Sequence, residues 1–259
     1  STIAVSLAAH RLLLLGDPQQ LPQVVQGTHP AGADASALGH LIGEADIIPP
    51  QLGYFLDQTR RMHPEVCAPV SRLSYAGRLR SHPTAQRSID GFSPGLYLAS
   101  VEHSGNTTRS VEEAAQVVSV IADLHGRTWQ GRPLTDEDFL VVAPYNLQAR
   151  TVAGTLADAG FGDVRVGTVD RFQGQEAPVV VTTMTSSAAI DLPRGLDFLL
   201  SRNRLNVALS RAQSVAVLVC SPRLLEADIR TVEQMRLVSG VLGLLRDARP
   251  WPGSTGVRP

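Results

Sequence analysis

The sequence predicts an α/β fold with a mostly parallel central sheet and helices on both faces, in three layers. Three observations lead there. Short apolar runs alternate with longer amphipathic stretches along all 259 residues. Several of the runs are apolar on consecutive positions, the pattern of strands buried on both faces of a covered parallel sheet. An apolar fraction of 43% supplies enough residues to fill such a core and argues against disorder.

The elements follow in chain order. Strands are expected over 11–15, 52–56, 96–101, 139–143, 164–168, 179–184 and 215–220. A helix is expected over 64–75, with Pro64 at its first position. Ser110 and Glu113 read as a capping box that opens a helix running to 124, and Gly126 stops it. A helix over 146–159 is closed by Gly160, and another over 198–212 precedes the last strand. Loops are expected at 28–34 and 126–135, and a mobile Pro/Gly/Arg-rich tail at 246–259. Strands alternating with helices are what a parallel sheet requires.

Composition excludes several chemistries. All 23 basic residues are arginine, so no complete phosphate-binding P-loop is present and lysine-dependent Schiff-base, Ser-Lys and protein-kinase chemistries are absent from the chain. The formal net charge of −1 gives no basic footprint; nucleic-acid contact has to come from a local patch. Cys67 and Cys220 have no metal-ligand spacing and imply no disulfide scaffold, and no metal site is expected in the chain. A reducing, cytoplasmic setting is the expectation. No apolar run approaches the roughly 20 residues that span a bilayer, and the opening is unlike a signal peptide. The chain starts at Ser1 and has its first methionine at Met62, which reads as a processed or engineered product or as a piece of a longer protein.

Five segments carry candidate chemistry. LGDPQQLP at 15–22 follows an apolar run, at the strand end where ligand loops sit in open α/β sheets. Asp17 can orient a water or a metal-bound group, and Gln20 has an amide able to sense a phosphate and an attacking water; an ordinary Asp-Pro turn is the other reading. TRRMHP at 59–64 places two arginines beside a buried strand, a costly arrangement unless an anion meets them. Its His63 has no catalytic partner and reads as structural. VVAPYNLQ at 141–148 puts Tyr145 and Gln148 near a strand tip. GTVDRFQGQE at 167–176 packs Thr168, Asp170, Gln173 and Glu176 into one turn, with Gly174 allowing close backbone approach to a ribose or sugar-phosphate. RNRLNVALSRA at 202–212 reads as a helix with Arg204, Ala208 and Arg211 on one face, either an arginine finger at Arg211 or a solvated arginine stripe.

Taken in order, these segments resemble motifs III to VI of superfamily-1 helicases, in the branch that includes the Upf-type helicases and the Okazaki-fragment nuclease-helicase. GDPQQLP looks like motif III, RMHP like motif IV, Pro144-Tyr145 with Gln148 like the accessory motif, TVDRFQGQE like motif V and NVALSRA like motif VI. The resemblance runs from about residue 11 to 221. It implies a RecA-like domain over 49–225, a C-terminal remnant of a preceding RecA-like domain over 1–48, and a helix with flexible tail over 226–259. It further implies catalytic roles for Asp17, Gln20, Arg61 and Arg211, with the two arginines as fingers on ATP. Gln173, Gly174, Glu176 and Arg204 would bind the nucleotide; Pro144, Tyr145, Gln148, Thr168 and Asp170 would contact nucleic acid.

The implied activity is the C-terminal half of an ATP-dependent 5′–3′ helicase or translocase on single-stranded nucleic acid, with DNA ahead of RNA as the track. The implied partner is an upstream RecA-like domain of the same protein, and no membrane. Motifs for cradling ATP and Mg²⁺ would belong upstream, so this chain by itself is expected to be inactive. Two alternatives stand beside this reading: the helicase half of a bacterial protein with an N-terminal RecB-like nuclease, and a non-catalytic RecA-like nucleic-acid-binding module. The sequence departs from the family in motif IV, where Thr59 and Arg60 replace the usual Gln-Tyr, and after motif III, where Gln23 replaces a second proline.

Overall fold

The computed structural model describes residues 10–21, 36–43, 45–226 and 229–252. In chain order its elements are α1 (Ala37–Ile42), β1 (Gln58–Thr59), α2 (Pro64–Ser74), β2 (Arg80–Ser81), β3 (Gly95–Ser100) and α3 (Val111–Leu124). There follow β4 (Thr128–Trp129), β5 (Arg132–Pro133), β6 (Phe139–Ala143), α4 (Asn146–Asp158), β7 (Arg165–Thr168) and β8 (Ala177–Thr183). The remainder are α5 (Leu196–Leu199), α6 (Arg202–Leu209), β9 (Ala212–Cys220), α7 (Val232–Asp247) and β10 (Arg249–Pro250).

Six strands form one sheet in the order β10-β3-β9-β8-β6-β7, and every pairing in it is parallel. The consecutive apolar runs are explained by the pleat, since successive side chains point to opposite faces. In β9, Val215, Val217 and Val219 enter one core layer, and Ala216, Leu218 and Cys220 enter the other. Leu140 and Val142 of β6 face the same side as α2, α6 and α7; Phe139 and Val141 face α3 and α4. The α/β, three-layer RecA-like class is what the structure shows.

Several predicted elements are different. Residues 11–15 form no strand: Leu13 and Leu15 are 81% and 84% exposed, and no described strand lies beside them to pair with. Residues 52–56 are not a strand either; the chain pairs only at β1, with β2, and Tyr54 and Leu56 stay exposed. The helix expected over 198–212 is broken into α5 and α6. Ser201 leaves the helical conformation and caps α6 by accepting from the Arg204 N–H. The loop at 126–135 contains the small antiparallel pair β4–β5. The predicted mobile tail is structured as far as 252: α7 runs to Asp247, β10 pairs with β3, and Trp251 is buried against Tyr97 and Phe92. Residues 28–34 and 253–259 lie outside the described residues, as do Pro22 and Gln23.

The capping box at α3 is also only half formed. Ser110 Oγ accepts from the Glu113 N–H at 3.0 Å as expected. The Glu113 carboxylate does not reach back. It is fully buried, where it accepts from the backbone N–H of Met184 (3.0 Å) and Thr185 (2.8 Å) and pairs with His103 Nε2 at 3.0 Å. The Ser110 N–H is taken instead by Gln148 Oε1 at 2.7 Å. Glu113 thereby anchors the chain leaving β8, where Thr185 sits at a φ of 72°, a left-handed conformation costly for a β-branched residue.

Candidate nucleotide and nucleic-acid site

The loop after residue 15 is docked on α2 and α6 by side chains. Asn203 Nδ2 donates to the carbonyls of Gln20 (2.7 Å) and Pro18 (3.2 Å), and Asn206 Nδ2 donates to Gln19 O at 2.8 Å. Asp17 Oδ1 accepts from the Gln19 N–H at 3.0 Å, an Asx turn that shapes the loop. Asp17 Oδ2 accepts from Gln20 Nε2 at 3.0 Å and from the Tyr75 hydroxyl at 2.6 Å. Burial and the Asp17 charge hold the Tyr75 hydroxyl well above its ordinary pKa, so the phenol is a neutral donor. Arg202 fastens the C-terminal end of α2 by donating to Leu73 O (2.9 and 2.6 Å), and reaches Asp46 Oδ1 at 3.0 Å.

Beside this loop stands a cluster of guanidinium groups. Arg61 Nε donates to Glu176 Oε2 at 2.6 Å, and its NH1 donates to Ser210 O at 3.1 Å. Gln213 Nε2 occupies the other oxygen of Glu176 at 2.7 Å. Burial alone would raise the Glu176 carboxyl, but the hydrogen bonds from Arg61 and Gln213 and the Arg61 charge outweigh it and hold the group below the usual carboxylate range. Arg87 donates to Arg61 O at 3.0 Å, and its Nε is buried without a hydrogen-bond partner.

Arg211 is 2% exposed. Its Nε donates to Val207 O at 3.0 Å and its NH1 to Gln175 O at 3.3 Å. Burial and the neighbouring Arg61 lower its pKa, while Tyr75, Glu176 and Asp17 act on it from the other side. Asp17, Tyr75, Arg61 and Glu176 are thus the electrostatic neighbours of Arg211. The solvated-stripe reading of Arg211 is excluded by its burial, and Arg211 lies beyond the end of α6 rather than on a common helical face with Arg204 and Ala208.

Arg204 belongs to a second group. It lies over the Phe198 ring at 4.2 Å and 3.6 Å from Asp170, and Arg194 lies over the same ring at 3.8 Å. Tyr145 stacks on Phe198 with ring centroids 5.6 Å apart. The structure therefore groups Arg204 with Tyr145 and Asp170, two candidate nucleic-acid contacts, and not with the nucleotide set. Pro144 and Thr168 are half-buried at the ends of β6 and β7; Gln173, Gly174 and Glu176 are exposed, Gly174 at a φ of 85°.

Gln148 is the clearest correction among the site residues. It is fully buried, accepting from Ser110 N–H and donating to Ser110 O (3.0 Å) and Thr183 Oγ1 (3.3 Å). Its amide has no reach to a surface ligand; it ties the start of α3 to β8. His63 is structural as expected, capping α2 by accepting from the Glu65 N–H at 3.2 Å. Sequence reading missed Tyr75, Arg87, Asn203, Asn206 and Gln213. The two asparagines lay inside a quoted motif, whereas Tyr75 offered no signal beyond its place at a helix end.

These residues fit a polyanion. Arg61, Arg87 and Arg211 lie close to two carboxylates, Glu176 and Asp17, and the Arg87 Nε is buried without a hydrogen-bond partner. Among the described residues no group of three or more His, Cys, Asp or Glu could hold a metal ion, and no helix is long and apolar enough to cross a membrane.

A family profile described as an AAA domain (AAA_12) matches residues 34–223. The chain belongs to this AAA-domain family. Its relatives include human 3'-5' exoribonuclease HELZ2, 29% identical over 242 residues that cover 82% of this chain and 8% of that protein. A Neurospora crassa protein named regulator of nonsense transcripts 1 homolog is 26% identical over 86% of this chain and 21% of its own length. The chicken DNA replication ATP-dependent helicase/nuclease DNA2 is 24% identical over 83% of this chain and 21% of its own length. The chain thus spans a quarter or less of these relatives. Family membership and these names support a helicase-type, ATP-dependent activity for the group as a whole.

Proposed function

We propose that this AAA-family chain is the C-terminal motor half of an ATP-dependent helicase or translocase that moves 5′–3′ on single-stranded nucleic acid. The observation that carries the reading is that Arg61 and Arg211 are both fixed at the C-terminal end of α6, Arg61 on Ser210 O and Arg211 on Val207 O, while Asn203 and Asn206 of the same helix hold the Asp17–Gln20 loop. Arg61 and Arg211 act as arginine fingers on the terminal phosphates. Their value lies in preorganisation: Glu176, Ser210, Val207 and Gln175 fix both guanidiniums before any ligand arrives, so little reorganisation is needed as charge develops. Gln20 orients the attacking water, and Asp17 holds Gln20. Gln173, Gly174 and Glu176 face the ribose and phosphates.

Bound ATP with Mg²⁺ supplies the phosphoryl group and neutralises its charge. With no lysine in the chain, the phosphate cradle comes from upstream sequence, and the isolated chain does not turn ATP over. Tyr145, Pro144, Thr168, Asp170 and Arg204 form the nucleic-acid side. DNA is the favoured track, although the relatives' names span both DNA and RNA work.

The test uses the full-length protein. Arg61→Ala and Arg211→Ala are each expected to lower ATP turnover by about 10³-fold or more while nucleotide binding persists. Nucleic-acid-stimulated ATP turnover by the isolated chain would overturn the division of labour. A second reading is favoured by two relatives whose names include a nuclease activity: the motor serves a nuclease domain elsewhere in the same protein. A RecB-like nuclease centre needs a catalytic lysine, so it would lie outside this chain.

A further inference from the structure

We propose that Tyr75 is a positioning residue that carries the state of the Asp17–Gln20 loop to both arginines. The inference rests on the motor reading above and adds a part that neither the motifs nor the relatives' names assign. Tyr75 is 7% exposed at the C-terminal end of α2. Its hydroxyl donates to Asp17 Oδ2 at 2.6 Å and accepts from Asn206 Nδ2 at 2.9 Å. The same Asp17 oxygen accepts from Gln20 Nε2 at 3.0 Å. One carboxylate oxygen therefore holds both the loop's sensing amide and the phenol. A change in the Gln20–Asp17 contact is felt at Tyr75 directly.

Two features separate this relay from simple docking. First, the loop backbone is already clamped by Asn203 and Asn206, so the Tyr75–Asp17 bond is not needed to hold the loop in place. Second, Asn206 is fully buried and its Oδ1 has no hydrogen-bond partner. A buried acceptor left open is costly, and this one sits on the amide that already touches the phenol. The open Oδ1 leaves a spare acceptor on that amide, while Nδ2 keeps its bonds to Gln19 O and to the phenol.

The output is set by where the two helices lead. Tyr75 caps α2, whose first turn follows Arg61 by three residues, and Asn206 lies in α6, which ends two residues before Arg211. The Arg61 guanidinium also bonds to Ser210 O, beside the end of α6. Motion of Asp17 is thus delivered through one phenol and α6 to the root of Arg211 and, by way of Ser210 O, to the Arg61 guanidinium.

The experiment compares full-length wild-type protein, Tyr75→Phe, Asn206→Ala and Arg211→Ala by single-strand-stimulated ATP hydrolysis and thermal melting. Tyr75→Phe keeps the ring against Phe55 and removes only the hydroxyl. The expected result is a kcat about tenfold or more lower, the loss set by one charge-assisted hydrogen bond, with KM for ATP within about twofold of wild type. Asn206→Ala also removes the Gln19 clamp, so it is expected to lose kcat and to melt earlier, whereas Tyr75→Phe is expected to melt like wild type; a Tyr75→Phe chain that does not fold makes the phenol structural and overturns the relay. Wild-type kcat in the relay variants, or loss of KM and kcat together, alongside an inactive Arg211→Ala overturns the relay alone. An active Arg211→Ala, or no ATP hydrolysis by the wild type, overturns the motor reading and the relay with it.

Discussion

Asp138 shows how one side chain ties local charge to stability. Both its oxygens accept from the Arg132 guanidinium at 2.7 Å, and Oδ2 also accepts from the Thr135 N–H at 2.9 Å. Burial would raise its pKa, but these bonds and the Arg132 charge outweigh it and hold the carboxyl below the usual range. A depressed folded-state pKa means that the stabilisation is complete above the unfolded value near about 4 and is lost as pH falls through the folded value. Asp138→Asn is expected to destabilise the chain by about 2 kcal/mol at pH 7. It should also flatten the acid limb of a melting-temperature profile; an unchanged acid limb would show that Asp138 does not set it. The two thiols are a second residue-scale case. Burial pushes Cys67 up to about 11 and Cys220 higher still. Thiolate is the reactive form, so neither thiol should be alkylated by iodoacetamide at pH 8 in the native chain, and both should be modified in denaturant.

At the scale of the element, the informative cases are helix ends. Ser110 was legible as the cap of α3, but the residue three places on was not legible as a core carboxylate. A capping glutamate and a buried one look alike in sequence; the choice depends on whether His103 and the N–H groups of Met184 and Thr185 are close enough to take it. Ser110→Ala is expected to cost about 1 kcal/mol or more in urea unfolding, because the hydroxyl accepts from Glu113 and also donates to Glu112. The break between α5 and α6 was equally hidden. Ser201 and Leu200 fit a helical run by composition, yet Ser201 takes up an extended ψ and caps α6.

For the whole molecule, the decisive contacts join distant stretches of chain. Trp251 is 2% exposed, contacts Phe92 and Tyr97 with ring centroids 5.2 and 5.5 Å away, and donates from Nε1 to Asp123 at 3.0 Å. A segment read as a mobile tail thus closes the edge of the sheet beside β3. Trp251→Ala is expected to cost about 3–5 kcal/mol, read as an earlier cooperative urea transition; a loss under about 1 kcal/mol would mean that the segment is an ornament. The opposite error occurred at Leu12, Leu13 and Leu15, whose strand-like pattern is real but which find no ladder among the described residues. A strand exists only where another strand supplies its hydrogen-bond partners.

By itself the sequence determined the class of fold and five of the strands in its main sheet, and it marked the five segments of the candidate site. Those properties are local: residue periodicity decides which strands are buried on both faces, and motif chemistry travels with short strings of residues. Tertiary structure alone decided that Gln148 is a buried tie rather than a ligand contact, that Arg204 and Arg211 part company, and that Tyr75 stands between Asp17 and Asn206. The first and last of those outcomes depend on side chains separated by 35 and 131 positions, and all three on whether burial leaves a polar atom with a partner. Spacing along a chain carries no record of either.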